Sequence, residues 1–309
     1  MNNYVILCDS SCDLTADLRE RFGIDDYLPG VLEFPDGHTE YSSLEWDKMS
    51  PVEFYTSMTK KSMYKTAIRS LADQKDFFEK YLSKGYDVLN VSLSSALSGT
   101  YGSCCIAAKE LQEKYPDRKI ICVDSQRYSG ALALLLSKLG EMKKAGKSID
   151  EVAQWAEDNK RRIHQMGTVD DLFFLRRMGR VSNVAAVMGS LVSIKPMADF
   201  DASGMNKIIG KAKGYKKFYE ATIEYMKKTI ENPEEQTIFI SYSNRKPQAM
   251  QLKEIIENEF HPKEIIMTTV CKACGASIGP GMATVFYMGP VASDDLSREA
   301  KMLEEILNK

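Results

Sequence analysis

Residues 88–101, which read Val-Leu-Asn-Val-Ser-Leu-Ser-Ser-Ala-Leu-Ser-Gly-Thr-Tyr, decide the fold class. The apolar run predicts a strand over Val88–Leu93, followed by a helix over about Gly99–Lys114 and a second strand over Lys119–Val123. This order indicates a parallel βαβ unit. Serine and threonine hydroxyls therefore lie where the first strand ends, the position at which open α/β sheets bind ligands. Helix capping explains these hydroxyls equally well, so both interpretations stay open.

The same alternation of strands and helices extends over the first half of the chain. Tyr4–Cys8 predicts a strand, and capping boxes predict helix starts at Ser50 and Ser148, the second helix running to about His164. From Thr168 onward, glycines and lysines separate shorter strands. The further predicted strands are Met197–Asp201, Asn206–Gly210, Thr237–Tyr242, Ile265–Val270 and Ala283–Met288, and the further helices cover about Gln74–Lys84, Ser129–Lys144 and Asp295–Leu307.

The length of 309 residues favours two domains, because a single hydrophobic core usually stops growing at about this size. We expect an α/β domain over residues 1–160, with a mostly parallel sheet flanked by helices. A smaller α+β domain is expected over residues 161–309.

Composition excludes several classes of protein. The 41 basic and 43 acidic residues leave a net charge of −2, which argues against nucleic acid as a partner and requires any charged ligand to be met locally. The seven cysteines are odd in number and irregularly spaced, as is usual in a reducing compartment. No basic segment precedes Asp9, so the N-terminus is read as a first strand and not as a signal peptide. The cytoplasm is the expected location.

Three short motifs suggest chemistry that their context argues against. Gly140–Ser148 resembles a phosphate-binding loop but has five residues between its glycines, where four are required. Gly275–Gly279 places Ser277 in a nucleophile-elbow pattern, yet no histidine follows it in the chain. Cys271 and Cys274 form a lone CxxC without a second ligand pair, so no metal site is expected. We expect residues 273–282 to form a buried, glycine-rich turn before a strand.

The only dense basic neighbourhood contains Arg180 and Lys213, and most such runs are solvated faces. Beside it, Val181–Ile194 carries no charge. This run could be a core helix or the wall of an apolar pocket, and periodicity does not distinguish the two.

Several segments in order resemble the DegV family of bacterial lipid-binding proteins. The resemblance spans almost the whole chain and implies two domains with a long-chain fatty acid held between them. The matching segments are residues 8–14 (Cys-Asp-Ser-Ser-Cys-Asp-Leu), 93–101 (Leu-Ser-Ser-Ala-Leu-Ser-Gly-Thr-Tyr), 123–125 (Val-Asp-Ser), 178–182 (Met-Gly-Arg-Val-Ser), 194–196 (Ile-Lys-Pro) and 279–281 (Gly-Pro-Gly).

The resemblance also implies site residues. Thr66 and Ser98 match the family's carboxylate anchors, although only Thr66 and Ser70 remain of a Thr-Ser-Gln-Pro-Ser motif in which Arg69 replaces the proline. Further candidate ligand contacts are Ser95, Gly99, Ser277 and Gly279.

Some family members present the fatty acid to a kinase that phosphorylates its carboxylate. Arg180 matches one arginine of those members, but Lys213 replaces a second arginine and Ser277 replaces a histidine. Arg180 and Lys213 are thus candidates for contact with phosphate or with a partner. A fatty-acid kinase subunit and transient contact with a membrane surface are candidate interactions.

We therefore predict a non-enzymatic carrier of a long-chain fatty acid that needs no cofactor. Thr66 and Ser98 would anchor the carboxylate, and Val181–Ile194 would line the acyl tunnel. The alternative is an acyl hydrolase that uses Ser277 or Cys274 as its nucleophile.

Overall fold

The computed structural model describes residues 3–187 and 193–309. The strands and helices follow one another in the α/β alternation that the sequence predicts. In chain order they are β1 (Tyr4–Asp9), α1 (Ala16–Phe22), β2 (Asp26–Leu28), β3 (Val31–Glu33), β4 (Thr39–Tyr41), α2 (Pro51–Ser57), β5 (Lys65–Ala67), α3 (Leu71–Leu82), β6 (Asp87–Ser92), α4 (Thr100–Lys114), β7 (Ile120–Asp124), α5 (Ser129–Lys144), α6 (Ile149–Asn159), β8 (Ile163–Thr168), α7 (Phe173–Arg177), β9 (Val181–Ser182), β10 (Ile194–Phe200), β11 (Asn206–Lys213), α8 (Gly214–Thr229), β12 (Thr237–Tyr242), α9 (Lys246–Phe260), β13 (Glu264–Thr269), α10 (Lys272–Ile278), β14 (Ala283–Met288) and α11 (Ser297–Leu307).

The first sheet is parallel and has the strand order β2-β1-β6-β7. Helices cover both of its faces, which is why the apolar strands are buried on both sides. On β1, Val5 and Leu7 pack beneath α3 and α4, whereas Ile6 and Cys8 lie in the core on the opposite face. The strand–helix–strand unit predicted from residues 88–123 is confirmed.

The second sheet is mixed and has the order β13-β12-β14-β8-β10-β11-β9. Helix α5 packs against β12, β14 and β8, while α8 packs against β8, β10 and β11, and α9 packs against β12, β13 and β14. Side chains of α5 from Ala131 to Leu136 are all buried, because the helix has neighbours on both sides. Side chains of α5 share one hydrophobic core with strand residues of both sheets. This core spans the expected domain boundary between residues 160 and 161, which therefore stays a prediction.

Two local predictions are wrong. The helix that begins after Ser148 ends at Asn159, and His164 instead lies in β8, where it pairs with Tyr287 of β14. Residues 272–278 form α10 and not a turn. Position 275 of this helix requires glycine, because a Cβ there would stand 2.3 Å from the hydroxyl of Tyr55. The glycine thus permits close packing and does not mark a turn.

A third, antiparallel sheet of three short strands, β4-β3-β5, packs against α10. Its position beside the carboxyl ends of β1 and β6 places β5 across from the loop that follows β6. Within residues 3–187 and 193–309, no helix combines the length and the apolar character needed to cross a bilayer.

Candidate ligand-binding cleft

A cleft of about 1130 Å³, its open mouth included, lies where β1 and β6 end. The carboxyl ends of neighbouring parallel strands meet at one edge of a sheet, so the loops after both strands border the same space. Ser10 and Ser11 follow β1, Ser98 follows β6, and Thr66 faces them from β5. The structure therefore brings both predicted anchors to one cavity.

Hydroxyl groups line the mouth of this cleft. The Ser98 hydroxyl lies 2.9 Å from that of Thr100 and accepts a hydrogen bond from the Thr100 amide at 3.3 Å. The Ser10 hydroxyl accepts from the amide of Gly30 at 3.0 Å. Thr66 is exposed on β5 and has Leu32 of β3 as its pairing partner. These hydroxyls can donate to the oxygens of a small anion.

Asp9 fixes the loop that carries Ser98. Its buried carboxylate accepts hydrogen bonds from the amides of Leu93, at 2.8 Å, and Ser11, at 3.0 Å. Burial raises the pKa of Asp9, although these hydrogen bonds act in the opposite direction. The turn then closes as the Ser98 amide donates to the carbonyl of Ser94 at 3.2 Å. The anchor is therefore held in place before any ligand arrives.

Two arginines also line the cleft, Arg69 and Arg180. Arg180 Nε donates to the carbonyl of Leu97 at 3.1 Å, one residue before Ser98, and another nitrogen donates to the carbonyl of Met178. The guanidinium group is thus fixed beside the Ser98 loop by backbone carbonyls.

A second, smaller cavity of about 410 Å³, its opening included, lies beside the first. Tyr128, Leu175, Asn206 and Ile278 line both cavities, so the two are adjacent. Beyond these shared residues the wall is largely apolar and includes Leu172, Val181, Pro196, Ile208 and Met282. Of the predicted tunnel wall Val181–Ile194, Val181 is in this lining, and residues 188–192 lie outside the described residues.

Three other predicted residues do not line the cleft. Ser95 is exposed, and its hydroxyl donates to Asp124 at 2.5 Å. Gly279 ends α10 with φ of +77°, and a Cβ there would stand 2.3 Å from the ring of Phe174. Lys213 lies at the far end of β11 from Asn206, which donates to the carbonyl of Arg180 at 3.0 Å. Seven residues of strand span about 23 Å, so the structure does not bring Lys213 and Arg180 together.

Gly99, Ser277 and Cys274 do line the cleft, but no histidine is among the described residues that line it. His164 is buried elsewhere, where its ring nitrogens lie 2.8 Å from Asp199 and 2.7 Å from the carbonyl of Pro290. Neither Ser277 nor Cys274 therefore has a histidine among the described lining residues to act as its general base.

The CxxC pair follows β13 and opens α10, which corrects our prediction that it leads into a turn. Burial raises the pKa of Cys271. A hydrogen bond from Cys271 lowers the pKa of Cys274, but burial and nearby carboxylates outweigh it, and the net pKa is raised. Both thiols are therefore poor nucleophiles near neutral pH, despite the helix N-terminus.

The sequence pattern did not single out Gln74, Asn90 or Cys104 as residues of the inner wall of the cleft. Gln74, Asn90, Ser92 and Cys104 are buried there. Gln74 Oε1 accepts from Cys104 Sγ at 3.3 Å, and Asn90 Nδ2 donates to Ser92 Oγ at 2.9 Å. The only sequence signal was Asn90, a polar residue in an otherwise apolar strand, because buried polar side chains usually have a specific partner.

Comparisons with known proteins agree with this architecture. A family model described as "Uncharacterised protein, DegV family" matches residues 3–289. A DegV domain-containing protein of Clostridium perfringens is 37% identical over 289 residues, covering 94% of this chain and 98% of that protein.

Two solved structures from Thermotoga maritima are similar to this chain. The first is described as a DegV lipid-binding protein and has a TM-score of 0.81 with 26% identity, covering 94% of this chain and 99% of the other. The second is described as revealing fatty acid binding function and has a TM-score of 0.78 with 26% identity, covering 94% and 100%.

Proposed function

The chain belongs to the DegV family, and on that premise we propose that it binds a long-chain fatty acid as a carrier. The observation that carries the proposal is a pair of adjacent cavities whose far ends have different linings. Hydroxyls of Thr66 and Ser98 line the end at the mouth, and apolar side chains line the adjoining cavity. A carboxylate suits the first end and a hydrocarbon chain suits the second.

The energetics of such a ligand fit this division. Each buried methylene contributes about 0.8 kcal/mol, so the acyl chain supplies most of the affinity. A hydrogen bond to a charged group contributes about 1.5–3 kcal/mol, so Thr66 and Ser98 orient the ligand and select its head group. Ser95 and Gly279 are left out of the proposed contacts, because neither lines the cleft.

We propose a narrower role for Arg180 in presentation of the head group to a fatty-acid kinase. Its side chain borders the cleft beside Ser98, where a phosphorylated carboxyl group would carry additional negative charge. Lys213 lies about 23 Å along β11 from Asn206, the residue that contacts Arg180, so a phosphate beside Arg180 does not reach Lys213. We assign Lys213 instead to contact with a partner or a membrane surface. Loss of acyl-phosphate formation in Arg180→Gln with an added kinase, at unchanged fatty-acid affinity, would support this role.

The alternative of an acyl hydrolase rests on Ser277 and Cys274, which both border the cleft. No described residue of the lining supplies the histidine that would activate either one. We therefore favour the carrier. Turnover of an acyl ester that Ser277→Ala or Cys274→Ala abolishes would reverse this preference.

The decisive experiment is organic extraction of the purified full-length protein followed by mass spectrometry. We expect a co-purified long-chain fatty acid. The protein freed of lipid should then take up radiolabelled octadecanoic acid from phosphatidylcholine vesicles. Absence of both the co-purified acid and this uptake would contradict the proposal.

The anchors are tested in the same uptake assay. Ser98→Ala and Thr66→Val should each weaken binding about tenfold, because each removes a hydrogen bond to a charged group. Ser103→Ala is the matched control, since Ser103 lies on α4 near this loop but does not line the cleft. Equal affinities for Ser98→Ala and Ser103→Ala would refute the role of Ser98.

A further inference from the structure

Arg69 is held in the wall of the cleft by groups that lie behind it. Nε and Nη2 each lie 3.0 Å from a different oxygen of Asp73, and Nη1 donates to the carbonyl of Pro29 at 3.3 Å. The guanidinium carbon stands 4.0 Å from the centroid of the Tyr41 ring. Only 12% of the side chain is exposed. The charged group is therefore fixed in one orientation.

The residues that hold Arg69 are not those that line the cleft. Arg69 borders the cleft together with Thr66 and Ile68, whereas Asp73, Pro29 and Tyr41 do not. The carboxylate of Asp73 is itself occupied, because it accepts from the amide of Ser70 at 3.2 Å and from the Ser70 hydroxyl at 2.7 Å. Arg69 thus belongs to the lining of the cleft, whereas its partner Asp73 lies outside that lining.

Arg69 also keeps hydrogen-bonding capacity. A guanidinium group has five N–H bonds, and the contacts to Asp73 and Pro29 use three of them. Two N–H bonds remain without a partner among the described residues. These belong to the two terminal nitrogens, one N–H on Nη1 and one on Nη2, and both can donate to the oxygens of a carboxylate, whereas a lysine in the same place would offer only a single ammonium group.

The charge of the cleft favours an anion as its ligand. Among the described residues, its lining contains two arginines and a single acidic residue, Asp9. The Asp9 carboxylate is buried and already accepts hydrogen bonds from the amides of Leu93 and Ser11. Arg180 lies beside the Ser98 loop, whereas Arg69 follows β5, the strand of Thr66. Each of the two hydroxyl anchors therefore has an arginine beside it.

We propose that Arg69 is a specificity-determining residue that donates hydrogen bonds to the ionised carboxylate and makes the site prefer fatty acids to uncharged lipids of equal chain length. This inference rests on the proposed function and names the feature of the ligand that is selected. Hydrocarbon burial cannot provide this selection, because an acid and an alcohol of the same length differ by only one methylene, and the alcohol has the larger number.

The test compares octadecanoic acid with octadecan-1-ol. Both are radiolabelled and partitioned from phosphatidylcholine vesicles to the full-length protein after removal of its lipid. The variants are Arg69→Gln, which removes the charge at similar length, and Arg69→Lys, which keeps the charge without the fork. Lys65→Gln is the control, because Lys65 lies on β5, the strand just before Arg69, pairs with Glu33 at 2.6 Å and does not line the cleft.

We expect Arg69→Gln to weaken binding of the acid about tenfold and binding of the alcohol less than twofold. Arg69→Lys should lose less affinity for the acid than Arg69→Gln does, and Lys65→Gln should change neither ligand. An equal loss for acid and alcohol would show a structural role only and overturn the inference, as would unchanged binding of the acid. Failure of the unaltered protein to bind the acid would instead overturn the proposed function itself.

If Arg69→Gln fails to fold, Arg69→Lys decides. A preference for acid over alcohol that is reduced in Arg69→Lys, with affinity for the alcohol unchanged, supports the inference. An unreduced preference contradicts it.

Discussion

Asp13 joins three parts of the molecule, and Asp13→Ala should therefore strongly destabilise it. One carboxylate oxygen accepts from the hydroxyls of Ser129 and, at 3.0 Å, of Ser241, and the other accepts from the amide of Cys271 at 2.8 Å. These donors belong to the start of α5, to β12 and to the residue before α10. Only 4% of Asp13 is exposed, so water cannot replace the carboxylate.

The magnitude follows from the three hydrogen bonds. At about 1.3 kcal/mol each they amount to about 4 kcal/mol. Asp13 also has φ of +52°, where alanine is strained by about 1 kcal/mol. We expect Asp13→Ala to lower the free energy of unfolding by about 5 kcal/mol in total, a large effect for one substitution.

Urea unfolding followed by tryptophan fluorescence and by circular dichroism measures this loss. Asn232→Ala is the matched control, because Asn232 is exposed and has φ of +44°, so it reports the backbone strain alone. The difference between the two variants isolates the hydrogen bonds. If Asp13→Ala costs no more than Asn232→Ala, the carboxylate does not join these elements as described.

Three further predictions concern packing, pH and ligand length. Gly140→Ala should lower the free energy of unfolding by about 3 kcal/mol, because its Cβ would stand 1.7 Å from the carbonyl oxygen of Phe22. Gly102→Ala, at an open helical position, should instead stabilise the protein, and thermal unfolding that ranks the two variants otherwise would contradict this packing. Burial raises the pKa of Asp170, but Lys195, Tyr215 and Arg245 together outweigh it and the net pKa is lowered. The ionised form therefore stabilises the fold above about pH 4, and this contribution disappears as the pH falls through the folded pKa, so Asp170→Asn should flatten the acid side of the stability curve measured in urea. Shortening the bound acid by two carbons should weaken binding about tenfold, since two methylenes contribute about 1.6 kcal/mol, and equal affinities in a series from eighteen to fourteen carbons would show that the chain is not buried.

Local patterns made much of the fold predictable. The strand over Val88–Leu93 lies within one residue of β6, because an apolar run bounded by a helix signal is readable from neighbouring residues alone. The capping boxes at Ser50 and Ser148 are both confirmed, since the serine and the acid three residues later interact within one turn.

Long-range packing made the remaining features unpredictable. Gly275 has the same sequence signature whether it permits a turn or a close approach, and the hydroxyl that decides between them belongs to Tyr55, 220 residues earlier in the chain. Ser95 and Ser98 are equivalent as residue types in one loop. Only the turn made by Ser94 separates them, so that Ser98 borders the cleft while Ser95 turns to Asp124.

Arg69 illustrates how far local spacing reaches. Its pairing with Asp73 follows the i,i+4 rule and is readable from the sequence. That pairing alone suggests a charge that is neutralised at the surface. The place of Arg69 in the wall of the cleft also depends on the ring of Tyr41 and the carbonyl of Pro29, which lie in other parts of the chain. The functional meaning of the residue therefore required the fold.

The two ends of the proposed ligand place different demands on the protein. An eighteen-carbon acid has sixteen methylenes, which at about 0.8 kcal/mol each could contribute about 13 kcal/mol before the costs of immobilisation. Any apolar cavity of sufficient length supplies this free energy to acids, alcohols and esters alike. The head-group contacts are worth only a few kcal/mol, but they are the part that differs between these lipids. A protein with a net charge of −2 can therefore bind an anion tightly, provided that a few fixed donors such as Ser98, Thr66 and Arg69 meet the head group at one end of the cavity.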